Sequence, residues 1–169
     1  MKTINQTLVL LVSLFFFLSC SKSNDEQTPV NNYPLEGFYY IRGFGTNIYM
    51  VNSSGYMAQG GKTFQVELKR AIEPNTYYIV SKADESEVFE HIYDDFATLL
   101  STIISPEDNS QVFLINKVSN VDAYTIVPKN QLTLKLAIDL PPTITFGVFT
   151  IPVDDPNSSN IESRFVLEP

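Results

Sequence analysis

The chain has 169 residues, of which 19 are acidic and 11 basic, for a net charge of −8. That balance excludes a nucleic-acid-binding face, which needs clustered basic residues, and argues against charge-driven adsorption to anionic lipid. One cysteine, one histidine and no tryptophan rule out an internal disulfide and leave little for nucleophilic or metal chemistry. The chain begins with Lys2 and then an apolar run at 8–18, LVLLVSLFFFL, broken only by Ser13. A helix of that length rises about 16 Å, too short for a bilayer core of about 30 Å. A charged start, a short apolar core and then small residues (Ser19, Cys20, Ser21) form the pattern of a secretory signal peptide.

The junction Leu18-Ser19-Cys20 resembles the lipobox of bacterial lipoproteins. The resemblance implies a signal peptide at 1–19, cleavage before Cys20, and lipid (palmitate among its acyl chains) on Cys20. Two or three acyl chains anchor stably where one holds only marginally. Lipidation also removes an unpaired thiol, which is a liability outside the cell. The alternative is plain secretion with an incidental cysteine. Residues 20–34 then read as the lipidated Cys and a flexible tether of Ser, Asn, Pro and charge. The stretch 21–34 reaches roughly 45 Å if extended. Lys22, Asp25 and Glu26 resemble the Lys-plus-acidic export tag of some Gram-negative surface lipoproteins. That implies the outer membrane, facing the cell surface, with the periplasmic face as the alternative.

Residues 35–169 are enough for one domain with a real core. Strand signals fill it. Residues 38–42, 47–51, 56–59 and 63–70 are short aromatic or β-branched runs, separated by turns at 43–46, 52–55 and 60–61. FQVEL and QLTLKLAI alternate with period two, as half-buried strands do. The window 86–104 has a helix-like face, but its Val, Ile, Phe and Thr favour two strands. Further strands are predicted at 76–81, 87–92, 97–104 and 111–118, then at 122–127, 131–138, 144–151 and 162–167.

These elements repeat. Tyr39-Tyr40-Ile41 returns as Tyr77-Tyr78-Ile79 and as Tyr124-Thr125-Ile126. FQVELKR at 64–70, QVFLINK at 111–117 and Arg164-Phe165-Val166 close the three units. Three units of four strands resemble a β-trefoil, and the ricin-B-type lectin branch in particular. The closers Gln111-Val112-Phe113 and Arg164-Phe165 stand where that branch carries Gln-x-Trp, although this chain has no Trp. An all-β trefoil of three four-stranded repeats is therefore predicted. A lipocalin-like barrel and a β-sandwich are the alternatives.

The residues give no enzyme. Among Glu87-Val88-Phe89-Glu90-His91, alternation sets Glu87, Phe89 and His91 on one face and Val88, Glu90 and Ile92 on the other. A lone strand His is usually a surface or satisfied residue. The acid pairs Asp94-Asp95 and Asp154-Asp155 read as solvated turns, and no metal-spaced cluster or phosphate loop appears. No catalytic residue, metal or cofactor is expected. The lectin resemblance implies a sugar site in each repeat, with an acid on the second strand and an aromatic platform. The acid slot falls near Met50 in the first unit and near Ala137 in the third, neither of which has a carboxylate. In the second unit it falls near Glu90, with Tyr93 or Phe96 as the platform. Tyr56, with Asn52 beside it, is the other candidate ring. The expected role is a non-catalytic module binding glycans. The alternative is a structural or protein-binding accessory subunit of an outer-membrane complex, using an apolar face at 144–149.

Overall fold

The computed structural model describes residues 35–85, 87–93, 96–101, 104–140, 147–155 and 161–169, with the backbone alone from Tyr93 to Ser101. The first unit holds β1 (Gly37–Gly43), β2 (Tyr49–Ser53), β3 (Tyr56–Gly60) and β4 (Val66–Arg70). The second holds β5 (Thr76–Ser81), β6 (Glu87–Tyr93), β7 (Phe96–Ser101) and β8 (Phe113–Lys117), with a short 3₁₀ turn at Asn109–Gln111. The third holds β9 (Tyr124–Pro128), β10 (Leu134–Asp139), β11 (Phe149–Pro152), β12 (Ile161–Glu162) and β13 (Phe165–Glu168).

Six of these strands close a barrel. β1 pairs with β4, β4 with β5, β5 with β8, β8 with β9, β9 with β13, and β13 returns to β1, all antiparallel. Closure leaves none of the six an unpaired edge. Period-two alternation turns one apolar residue of each strand into the barrel. Ile41, Ile79 and Ile126 from the openers, and Leu68, Ile115 and Phe165 from the closers, are all fully buried in one cluster. These are the residues whose recurrence marks the repeats.

Six more strands form three hairpins, β2–β3, β6–β7 and β10–β11. They meet one another at one end of the barrel. Tyr56 of β3 pairs with Thr98 of β7, and Ala58 of β3 bridges to Gly147 before β11. Gln59 Nε2 donates to the Gly147 carbonyl at 2.9 Å, and the Val148 N–H donates to the Met57 carbonyl at 3.2 Å. Met50, Met57, Phe89, Leu136 and Val148 fill the space beneath this cap. A six-stranded barrel capped by three hairpins is the β-trefoil. The lipocalin-like barrel and the sandwich are excluded by the same pairings.

Tyr39, Tyr77 and Tyr124 stand two residues before the buried isoleucines, at the end of the barrel away from the cap. The Leu35 N–H donates to Tyr77 Oη at 3.1 Å, and Leu35 is buried in the main core. Burial, then the neighbouring Tyr124 and Tyr77, push the Tyr39 phenol above its usual range. The chain therefore enters the fold by plugging the barrel's base.

Turns follow local chemistry. Asn75 and Asn120 take left-handed φ values of 58° and 65° between units, a conformation Asn tolerates. The window 86–104 contains two strands, β6 and β7, as β-branching favoured. The third unit departs from expectation. Two successive turns at 129–133 delay β10 to Leu134, although alternation begins at residue 131. A thirteenth strand, β12, pairs with the far edge of β10. Residues 141–146 lie outside the described residues, so only part of the 144–149 expectation can be compared. Its Val148 is fully buried, not exposed.

Candidate functional site

The second unit differs from the first in one link. Residues 61–65 join β3 to β4, whereas residues 102–112 join β7 to β8. Residues 104–112 of the longer link pack back against the outer face of β5 through Ile104 and Val112. Tyr78 and Val80 on that face join Val88 and Val112 in a second buried cluster, so β5 is buried at every position. Where the link meets the β4–β5 turn, a cleft of about 260 Å³ remains open. This is near the small end of ligand pockets, which run from about 300 Å³ upward.

Thr76, Tyr78 and Val112 are buried and make the floor of this cleft. Ala71, Ile72 and Glu73 of the β4–β5 turn make one wall, and Pro106, Glu107 and Asn109 make the other. Ile72 is 81 % exposed, an unusual exposure for an isoleucine beside a cleft. Lys129, just past β9, reaches in and pairs with Glu73 at 2.6 Å. Its own N–H donates to the Val112 carbonyl at 2.8 Å, which ties it to the floor.

Tyr78 is only 6 % exposed, yet its hydroxyl makes no hydrogen bond among the described residues. It is not sealed from solvent either: among the described residues, the one buried polar side-chain atom without a partner is Nε2 of His91. Tyr78 is among the residues that line the cleft. An accessible phenol hydroxyl can both donate and accept a hydrogen bond to whatever occupies the cleft. The Asn109 amide and the Glu107 carboxylate on the wall are unpaired as well.

The first unit shows the contrast. Tyr40 occupies the place of Tyr78, and Lys62, from the short 61–65 link, lies over its ring at 4.7 Å from the centroid. Lys62 is held by Glu168 at 3.0 Å, and Glu168 also takes hydrogen bonds from Arg42 Nε at 2.5 Å and Tyr49 Oη at 3.1 Å. The first unit's counterpart of the cleft is thus covered by its own cation.

The sequence-predicted residues fall into three groups. Glu90 and Tyr56 come together. Each stands opposite Thr98 in the register, so they share one face of the β3–β7–β6 sheet about 10 Å apart, two strand spacings. Tyr56 is 60 % exposed. Glu90 Oε1 lies 3.0 Å from the Ser110 hydroxyl, which also lies 2.5 Å from Asp108 Oδ1. Glu90 thus braces the link next to Asn109 rather than lining the cleft. Asn52 is used locally: its Oδ1 accepts the Gly55 N–H at 3.0 Å and shapes the β2–β3 turn, where Ser54 and Gly55 have positive φ. That hydrogen bond gives Asn52 a role in the turn. Tyr93 and Phe96 are register partners at the β6–β7 turn, and their side chains, like Cys20, lie outside what is described. Met50 and Ala137, the empty acid slots of the other units, are core residues.

Sequence reading missed Tyr78, Glu107, Asn109 and Lys129. The one available signal was unit length: the spacing between repeat openers grows from 39→77 to 77→124, and the added residues build the cleft's wall. Among the described residues no group of three His, Cys, Asp or Glu could hold a metal.

No protein-family model and no curated protein matches the chain. Solved structures do match, at low identity. The chain is similar to the cytolethal distending toxin from Actinobacillus actinomycetemcomitans, with TM-score 0.64 and 12 % identity over 78 % of this chain and 90 % of that one. It is similar to the BEL β-trefoil, with TM-score 0.61 and 13 % identity over 82 % of this chain and 97 % of that one. It is also similar to the Polyporus squamosus lectin, with TM-score 0.57 and 13 % identity over 78 % of this chain and 48 % of that one. At such identities the likeness establishes the β-trefoil fold.

Proposed function

We propose that this protein is a non-catalytic glycan-binding module, lipid-anchored through Cys20 at the outer membrane with its domain on the cell surface. The observation that carries the binding role is the unpaired Tyr78 hydroxyl on the floor of the second unit's cleft, flanked by free Asn109 and Glu107 and by apolar Ile72, Pro106 and Val112. Sugars need both kinds of surface: apolar contact for their C–H faces and fixed polar groups for their hydroxyls. A trefoil neighbour, the Polyporus squamosus lectin, was solved bound to a sialylated trisaccharide epitope, which supports a sugar as the ligand class. The anchor rests on the 8–20 sequence and its lipobox resemblance.

A glycan array paired with a thermal-shift screen tests the binding role. Hits that raise the melting temperature are expected. Tyr78→Phe removes only the free hydroxyl. It should weaken those hits roughly 2- to 12-fold, the worth of one net hydrogen bond of about 0.5–1.5 kcal/mol, and leave the melting temperature unchanged. Equal binding by the variant would move the ligand elsewhere. For the anchor, Cys20→Ala should abolish metabolic palmitate labelling and shift the protein out of the membrane fraction. Protease shaving of intact cells should remove the wild-type domain.

The second reading, a protein-binding accessory subunit, is favoured by a different observation. Leu132 and Val153 are 60 % and 44 % exposed, and the Val153 N–H donates to the carbonyl of Thr133 at 2.9 Å, which sets these two apolar residues at neighbouring edges of one hairpin. Capture from detergent-solubilised membranes that returns a stoichiometric partner, lost in Leu132→Glu, would support it.

A further inference from the structure

We propose that the cleft ranks its sugar by charge: it takes an amino sugar carrying a free ammonium ahead of the neutral isostere, and the neutral isostere ahead of the uronic acid. This rests on the glycan reading above and adds the ligand's chemistry. Three charged residues line the cleft, Glu73, Glu107 and Lys129. Lys129 is already matched by Glu73 at 2.6 Å, so it offers little to an incoming carboxylate. Glu107 makes no ion pair or hydrogen bond and is exposed. The charge left over in the cleft is therefore negative, on a chain of net charge −8.

The other polar groups suit a sugar of any charge. The Tyr78 hydroxyl, on a residue 6 % exposed, both donates and accepts, and so does the Asn109 amide. They orient the ring; Glu107 decides which substituent is welcome. Glu107 lies on an exposed wall, so its effect is that of a solvent-exposed pair. This sets the preference at up to about fivefold, and salt should screen it.

The test uses full-length protein in an uncharged detergent. Glucose, glucosamine and glucuronate, and the matching galactose series, are titrated while the resonances of Tyr78 and Asn109 are followed by NMR. At low salt the amino sugar of a series should bind up to about fivefold tighter than its neutral parent, and the uronate more weakly. In 0.5 M NaCl the order should flatten. Glu107→Gln should erase the preference, so that the amino sugar, its neutral parent and the uronate of a series bind alike. Glu107→Ala, read the same way, guards against a new contact from the amide. Uronate binding as well as amine, or a preference that survives in both variants, would overturn the charge proposal while the glycan reading stands. If neither series perturbs the cleft, both fall.

Discussion

Gly43 ends β1 where no side chain fits. A Cβ there would sit 2.2 Å from Cδ1 of Ile138 and 3.0 Å from Oγ1 of Thr46. Ile138 is fully buried and has nowhere to go. Gly43→Ala should therefore destabilise the domain by about 1–3 kcal/mol, as overpacking does, read as a drop in the urea midpoint. Gly61→Ala, where a Cβ meets nothing within 4 Å, is the control and should stay within about 0.5 kcal/mol. His91 makes the opposite kind of demand. It is 3 % exposed, with Nδ1 at 3.0 Å from Oδ1 of Asn130, while Asn130 Nδ2 donates to the His91 carbonyl at 2.8 Å. The amide's orientation puts the proton on Nδ1. Asn130→Ala strands both groups at once and should cost about 1–3 kcal/mol, measured by the same denaturation. The sequence offered His91 as one of many strand residues. Its partner is 39 residues away, which no local pattern announces.

At the scale of elements, the C-terminal strand is clasped from three sides. Glu168 of β13 takes hydrogen bonds from Arg42 of β1, Lys62 of the 61–65 link and Tyr49 of β2. The bonds from Arg42 and Lys62 hold its carboxyl at about 2, against an ordinary 4.5. The folded carboxyl is the stronger acid, so its stabilising contribution is full above the unfolded value and disappears as pH falls through the folded one. The gap in melting temperature between wild type and Glu168→Gln should be constant above about pH 5 and close between pH 4.5 and 2. Such elements were largely legible in the chain. Barrel strands must put an apolar residue inward at every second position, and a threefold fold must do so three times, so Tyr-x-Ile and its closers stood out. The third unit was less legible, since two turns shift β10 off its own alternation and β12 is too short to carry a period. The cleft was hardly legible at all. It is assembled from the β4–β5 turn, β5, the 102–112 link and Lys129, and only folding makes those segments neighbours. Glu90 lies in the same unit as the cleft, where it braces the link beside Asn109.

For the whole molecule, the barrel's seam matters most. It is formed by β1 and β13, the first and last strands, through the partners Tyr40–Glu168 to Gly43–Phe165. A chain made from its N-terminus completes β13 after the other twelve strands. Until residues 165–168 arrive, β1 and β9 each offer an open edge to any passing strand, and the pairing that ends this spans nearly the whole domain. Contacts of such separation form slowly. The interval before closure is thus when this domain is most exposed to aggregation and to proteases, and a holdase that shields open strand edges would matter to it then and not afterwards.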